Sequence, residues 1–237
     1  MSRLLPLLMT FLLWVGCFRD GGPHESVLSN SFLKDPGLIH VRITLTPRTN
    51  YSDHVLRASI VDNNLDYVQI LNGGIRVNNI AMSIVYSGSV PVYSIRSPLI
   101  LAVEPDADYT FEITLSDSSV YLAQIHTQSK YISRPMAPDT QDIRKNMRVE
   151  WTDLGEQGNL LLQFYTNYKN YEIDVPDAPD GNYTFPAAYL NEVVKDSTGS
   201  VNFRSVKRGT IDTRFGQNSY IESIFYSPKE YIFFKRP

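Results

Sequence analysis

The chain has 237 residues, 43% hydrophobic and 20% charged, with a formal charge of −3; this is enough for one large domain or two small ones with real cores, and it excludes a disordered polymer. Twenty-two Lys and Arg against 25 Asp and Glu supply no strongly basic face for a phosphate backbone, which speaks against nucleic acid as a partner. A single cysteine, Cys17, excludes an intramolecular disulfide framework and a thiolate-rich zinc site, while 15 Tyr and 11 Phe beside two Trp lean towards strand, where aromatic rings fit a half-buried pleated surface.

Met1–Arg3 carry one positive charge and Leu4–Gly16 carry none. The apolar run falls short of the roughly 20 residues of a membrane-spanning helix and has the proportions of a secretory signal peptide. It stops at Gly16-Cys17, followed by Phe18-Arg19-Asp20-Gly21-Gly22-Pro23. This junction resembles a bacterial lipobox, in which the signal is cut before a cysteine that becomes the lipidated first residue. Gly16 is the usual small residue and Val15 is compatible, whereas Trp14 stands where Leu is commoner and Leu13 lies one place early. The resemblance implies a signal peptide over 1–16, lipidation of Cys17 by palmitate-type acyl chains, and a lipidated tether over 17–36. Each buried methylene contributes about 0.8 kcal/mol, so several chains anchor stably where one does so marginally. In such lipoproteins an Asp directly after the cysteine retains the protein at the inner membrane; Phe18 stands there, which implies the outer membrane, in either leaflet. The competing readings of 1–17 are an ordinary secreted protein with a leftover thiol, or a buried apolar segment.

Alternation begins after the tether. Ile39, Val41, Ile43 and Leu45 share one face of a strand over 38–45, with His40, Arg42 and Thr44 on the other. Weaker strands are predicted over 54–61, 67–71, 75–85 and 89–94. Tyr109, Phe111, Ile113 and Leu115 face inward in the next strand, Asp117-Ser118-Ser119 supplies a turn, and 120–126 runs back. Pro135 and Pro138 mark a joint over 134–142. A second series follows over 147–151, 160–165, 200–206, 219–226 and 231–234. With no helical run of ten or more residues, the pattern predicts an all-β fold of two tandem immunoglobulin-like antiparallel β-sandwiches, 37–133 and 143–237; a single distorted sandwich with insertions is the competitor.

Tyr109-Thr-Phe-Glu-Ile-Thr-Leu115 with Asp117 and Tyr121-Leu-Ala123 resembles the last hairpin of immunoglobulin-like or fibronectin-III-like domains in Bacteroidota outer-membrane lipoproteins. Gly181-Asn-Tyr183-Thr-Phe185-Pro186, Leu190 and Val201-Asn-Phe203-Arg-Ser-Val206-Lys-Arg208 are similar to the C-terminal sandwich of such proteins. The likeness touches about a third of the chain by residues. It implies fold and address, and supplies no catalytic residue.

The chain holds no Gly-x-Ser-x-Gly elbow, no Gly-rich phosphate loop and no His-Glu-x-x-His, and acylation of Cys17 would remove the only thiol. His24, His40, His54 and His126 have no neighbouring histidine at metal-ligand spacing and read as surface or loop residues. Asp174, Asp177, Asp180 and Asn182 are candidate calcium ligands, because clustered carboxylate and carboxamide oxygens suit that ion; a polar turn between strands is the alternative. Tyr165, Tyr168 and Tyr171, interleaved with Asn167, Lys169 and Asn170, are candidates for stacking on sugar faces, against a loop covering the sandwich edge. No cofactor is expected. The expected function is a lipid-anchored envelope binding or assembly module without catalytic activity, with an envelope protein partner, accessory to an outer-membrane transport or adhesion complex. The alternative is a hydrolase or glycan-binding protein acting on envelope or extracellular polysaccharide, for which Asp106, Asp108, Glu150 and Asp153 would have to converge.

Overall fold

The computed structural model describes residues 29–31, 33–47, 55–95, 98–155, 157–167, 169–176, 178–190 and 197–235. Its N-terminal half contains β1 (Ser29–Ser31), a 3-10 turn at Pro36–Leu38, β2 (Ile39–Thr46), β3 (Val55–Asp62), β4 (Val68–Ile70), β5 (Gly74–Val77), β6 (Ile80–Ala81), β7 (Ser83–Ser87), β8 (Val90–Ile95), β9 (Asp108–Thr114) and β10 (Val120–His126). The C-terminal half contains β11 (Thr140–Asp142), β12 (Met147–Trp151), β13 (Asn159–Tyr165), β14 (Asn170–Asp174), β15 (Gly181–Phe185), a single helical turn at Ala187–Leu190, β16 (Ser197–Arg208), β17 (Thr210–Ile211), β18 (Tyr220–Tyr226) and β19 (Glu230–Lys235).

The fold is all-β, with sheets packed face to face. A long sheet runs β11-β19-β16-β18-β2-β3-β8-β7, and β13 with β14 branches from β16. Period-two alternation gives this sheet one apolar side. At its N-terminal end Ile39, Val41, Ile43, Leu45, Leu56, Ala58 and Ile60 lie in one buried cluster with Ile75, Val77, Phe111, Ile113 and Ile125 of the β17-β10-β9-β5-β6 sheet. At its C-terminal end Leu160, Leu162, Phe164 and Phe203 share that cluster with Met147, Val149, Trp151 and Phe185 of the β12-β15 pair. Aromatic contacts close this end of the core: Trp151 meets Phe203 edge-on at 5.4 Å, and Phe164 lies 5.0 Å from Phe185. Burying each large side chain contributes about 1.5–3 kcal/mol, so both ends are held mainly by this burial.

The halves on either side of 134–142 are joined by hydrogen bonds as well as by chain. Strand β2 pairs parallel with β18, Tyr220 opposite Arg42 and Ser223 opposite Leu45. Gln128, fully buried just beyond β10, donates to Ser205 Oγ at 3.1 Å and to the Ser223 carbonyl at 3.1 Å, and accepts from Ser223 Oγ at 2.7 Å. A buried amide without such partners would cost about 1–3 kcal/mol, so this side chain supports the register of β16 and β18 beneath β10.

Three local differences from the sequence reading have physical causes. The single strand expected over 75–85 is broken at Asn78 and Asn79, whose φ values of 45° and 68° form a tight turn between β5 and β6. The segment read as a loop of tyrosines and a polar turn contains two strands, β14 and β15, paired to β13 and β12. The pairing is not wholly antiparallel: β1-β4, β11-β19 and β18-β2 are parallel. Among the described residues no helix is long and apolar enough to cross a membrane.

Candidate functional site

Cys17, Tyr168, Asp177, His24 and His54 lie outside the described residues. Tyr165 and Tyr171 do not share a surface. In the β13-β14 hairpin Phe164 is opposite Tyr171, and paired residues project to the same side of a sheet, so Tyr171 goes inward with Phe164 while Tyr165 goes outward. Tyr171 stacks on Phe164 at 5.8 Å and on Tyr189 at 4.9 Å; Tyr165 lies under Lys229, whose Nζ is 5.0 Å from the ring centroid.

The acidic candidates are dispersed over separate structural tasks. Asp174 ends β14 opposite Leu161, and Asn182 lies in β15 opposite Glu150. Asp180 accepts from the backbone N–H of Asp153 at 3.0 Å, supporting a residue whose φ is 55°. Among the described residues no group of three or more His, Cys, Asp or Glu is placed to hold a metal ion.

His40 is a correction. It lies on the same side of β2 as Arg42 but is only 8% exposed, because the loop after β17 crosses it: Gly216 N–H donates to the Ile39 carbonyl at 2.9 Å, and a Cβ at Gly216 would collide with the His40 ring. It is a covered residue, with its Nδ1 buried and unbonded. His126 is exposed between two carboxylates, Nδ1 2.9 Å from Asp108 and Nε2 3.2 Å from Asp106. Both carboxylates of this cluster are engaged with the imidazole on open surface, and among the described residues no hydroxyl hydrogen-bonds to His126. Of the four acids weighed for hydrolysis, Asp106 and Asp108 share His126, Glu150 pairs with Arg148 and Asp153 with Lys130.

What the tertiary structure does assemble is the outer face of the long sheet. Thr44 is opposite Arg57 and Arg42 opposite Ser59; Arg57 is in turn opposite Ser94, and Arg42 opposite Tyr220. These side chains therefore project together, away from the core. With Val55, Tyr67, Val85, Tyr86, Ser87 and Val92 they line a groove of about 540 Å³. The sheet continues this face through Glu222, opposite Arg208, and Tyr226, opposite Arg204. Arg204 is opposite Leu161, Asn202 opposite Gln163, and Gln163 opposite Glu172.

The electrostatics of this face are uneven. At the β14 side a buried amide chain bonds internally: Asn202 Nδ2 donates to Gln163 Oε1 at 3.2 Å, and Gln163 Nε2 to Glu172 Oε1 at 2.6 Å, while Asn202 Oδ1 is buried without a partner. Burial raises the Tyr165 phenol above its ordinary pKa of 10.0, nearby Tyr226 and Glu172 add to the rise, and Arg204 opposes it. The groove end holds guanidinium, phenol and hydroxyl groups with four valines, Val55, Val85, Val90 and Val92. Sequence reasoning had Arg42 and Thr44 outward, but missed Arg57, Tyr67, Tyr86, Arg204, Arg208 and Tyr220, since the pairing that gathers them is not local.

Fold and face together define an all-β protein with an open, partly polar groove on one sheet. No protein-family model matches the chain, and no curated protein matches it. Among solved structures it is similar to the FN1-FN3 domains of chicken CNTN1, at 13% identity over 86% of this chain and 68% of that one, with a TM-score of 0.26. It is also similar to SGBP-B of the Bacteroides ovatus mixed-linkage glucan utilization locus, solved with a mixed-linkage heptasaccharide, at 10% identity and a TM-score of 0.25. That alignment covers 88% of this chain and 47% of the other.

Proposed function

We propose that this chain is a binding module of the cell envelope, held at the outer membrane by acyl chains on Cys17, which takes a glycan on the outer face of its long sheet and does not catalyse. The observation that carries the reading is the groove of about 540 Å³ walled by Arg42, Arg57, Tyr67, Tyr86 and Tyr220. Its rings offer flat apolar area, while its guanidinium, phenol, Ser and Thr groups offer directional hydrogen bonds, the combination that recognises a polyol with apolar C–H faces and hydroxyl edges. The anchor rests on Cys17 standing where the apolar run of the sequence ends. A tethered binder without chemistry of its own fits an accessory role beside an outer-membrane transport or adhesion complex.

Native affinity electrophoresis of the detergent-solubilised protein, through gels cast with soluble polysaccharides, tests the binding reading. Retardation is expected, weakened in Tyr220→Ala; migration unaffected by every polysaccharide would overturn it. Detergent phase partitioning tests the anchor: wild type should enter the detergent phase and Cys17→Ser the aqueous phase. A wild-type protein in the aqueous phase with a free Cys17 thiol replaces the anchor with an ordinary signal peptide.

A further inference from the structure

The described arginines divide into two groups. Arg134, Arg144, Arg148 and Arg214 pair with Glu230, Asp142, Glu150 and Asp212, and Arg76 donates to the Asn79 carbonyl. Arg42, Arg57, Arg204 and Arg208 have no salt bridge and no side-chain hydrogen bond among the described residues. All four of these lie on the outer face of the long sheet, by the cross-strand register of β16, β18, β2 and β3.

They also lie along connected hollows. Arg42 and Tyr220 wall both the groove and a second hollow that contains Arg208, Gln217, Asn218 and Ser219. Arg208 also walls a third, with Arg204, Lys207 and Asn159. Neighbouring strands are about 4.8 Å apart, comparable to one pyranose unit, so Arg208, Arg42 and Arg57 mark positions along an extended chain crossing the strands. The charges facing this track from the same sheet are Glu222, opposite Arg208, with Glu172 and Asp174 at the far β14 edge; Glu172 is occupied by Gln163. The Nε of Arg204 is buried without a hydrogen-bond partner. Unneutralised guanidinium groups gathered on one sheet face are complementary to a repeating anion, and their planar forks match carboxylate groups.

We propose that the ligand of this face is an acidic linear polysaccharide, whose uronate carboxylates are taken by the track Arg57, Arg42, Arg208 and Arg204 while its hydroxyls meet the intervening Tyr, Ser and Thr groups. The inference rests on the binding-face reading above and narrows it to one substrate class.

The test is affinity electrophoresis and calorimetry of the detergent-solubilised full-length protein against polygalacturonate, its methyl-esterified form, a neutral β-glucan, dextran sulfate and duplex DNA. Polygalacturonate should bind tightest, should lose at least about tenfold in affinity when its carboxylates are esterified, and should lose about tenfold or more in Arg42→Gln/Arg57→Gln and in Arg208→Gln. Arg144→Gln, at a paired arginine off the track, should bind as wild type, and all variants should keep the wild-type Tm. Neutral glucan or esterified pectin binding as tightly as polygalacturonate would overturn the acidic class while leaving the glycan face standing. Preference for dextran sulfate or DNA over polygalacturonate would overturn the carboxylate assignment. Failure to bind any polysaccharide would overturn both readings.

Discussion

Arg42 and His40 stand two residues apart on one side of β2, yet the loop after β17 covers only His40. That loop is fastened by Asp212 and Arg214, whose Nη2 lies 2.6 Å from Asp212 Oδ2, while the guanidinium stacks 4.5 Å over Tyr121. Phe215 adds a contact at 5.2 Å to the same ring. Hydrogen bonding from the Arg214 side chain holds the Asp212 carboxyl down at about 2, against an ordinary 3.8. A carboxylate depressed on folding adds stability that is full above its unfolded pKa and is lost as pH falls through the folded value. The melting temperature of wild type should therefore exceed that of Asp212→Asn at neutral pH, and the difference should shrink as pH falls from about 4 to about 2. A difference that persists unchanged at about pH 2 would show that the ion pair is not its source. Because Asp212 lies at the head of the loop that supplies Gln217, Asn218 and Ser219 to the second hollow, the same pair supports part of the proposed binding face.

At the scale of elements, close approaches of backbone decide where strands meet. Gly209 separates β16 from β17, its N–H donates to the Ile221 carbonyl at 3.0 Å, and a Cβ there would collide with the carbonyl oxygen of Gln124 in β10. The pairing of Ile211 with Ala123 and of Thr210 with Gln124 depends on that approach. Gly209→Ala should destabilise the protein by about 1–3 kcal/mol through overpacking, read as a lower urea midpoint. Gly74, whose Cβ would meet nothing within 4 Å, provides the contrast: Gly74→Ala should leave the midpoint nearly unchanged. Equal effects at the two positions would mean that the approach at Gly209 is not what limits it. Strand β14 shows the reverse situation, since its exposed-intermediate alternation from Asn170 to Asp174 carries too few apolar residues to be recognised until β13 lies beside it.

At the scale of the whole molecule, the parallel β2-β18 pairing and the buried Gln128 join the halves through the middle of one sheet. With a site-specific protease sequence inserted between Ala137 and Pro138, cleavage should yield two fragments that co-elute at the intact volume and separate only in denaturant. Fragments that part in native buffer would show that the shared sheet does not hold them. The all-β class and the inward sets of β2 and β9 were legible in the sequence, because period-two alternation is a property of consecutive residues. The outward placement of Arg42 and Thr44 was legible for the same reason. Which strands are neighbours was decided only by the tertiary structure: backbone N–H and C=O groups are the same in every residue, so nothing local records that Arg42 lies opposite Tyr220. That pairing places Arg42, Arg57, Arg204 and Arg208 on one face and brings a loop from the other end of the chain over His40, while the register of β14 on β13 separates Tyr165 from Tyr171.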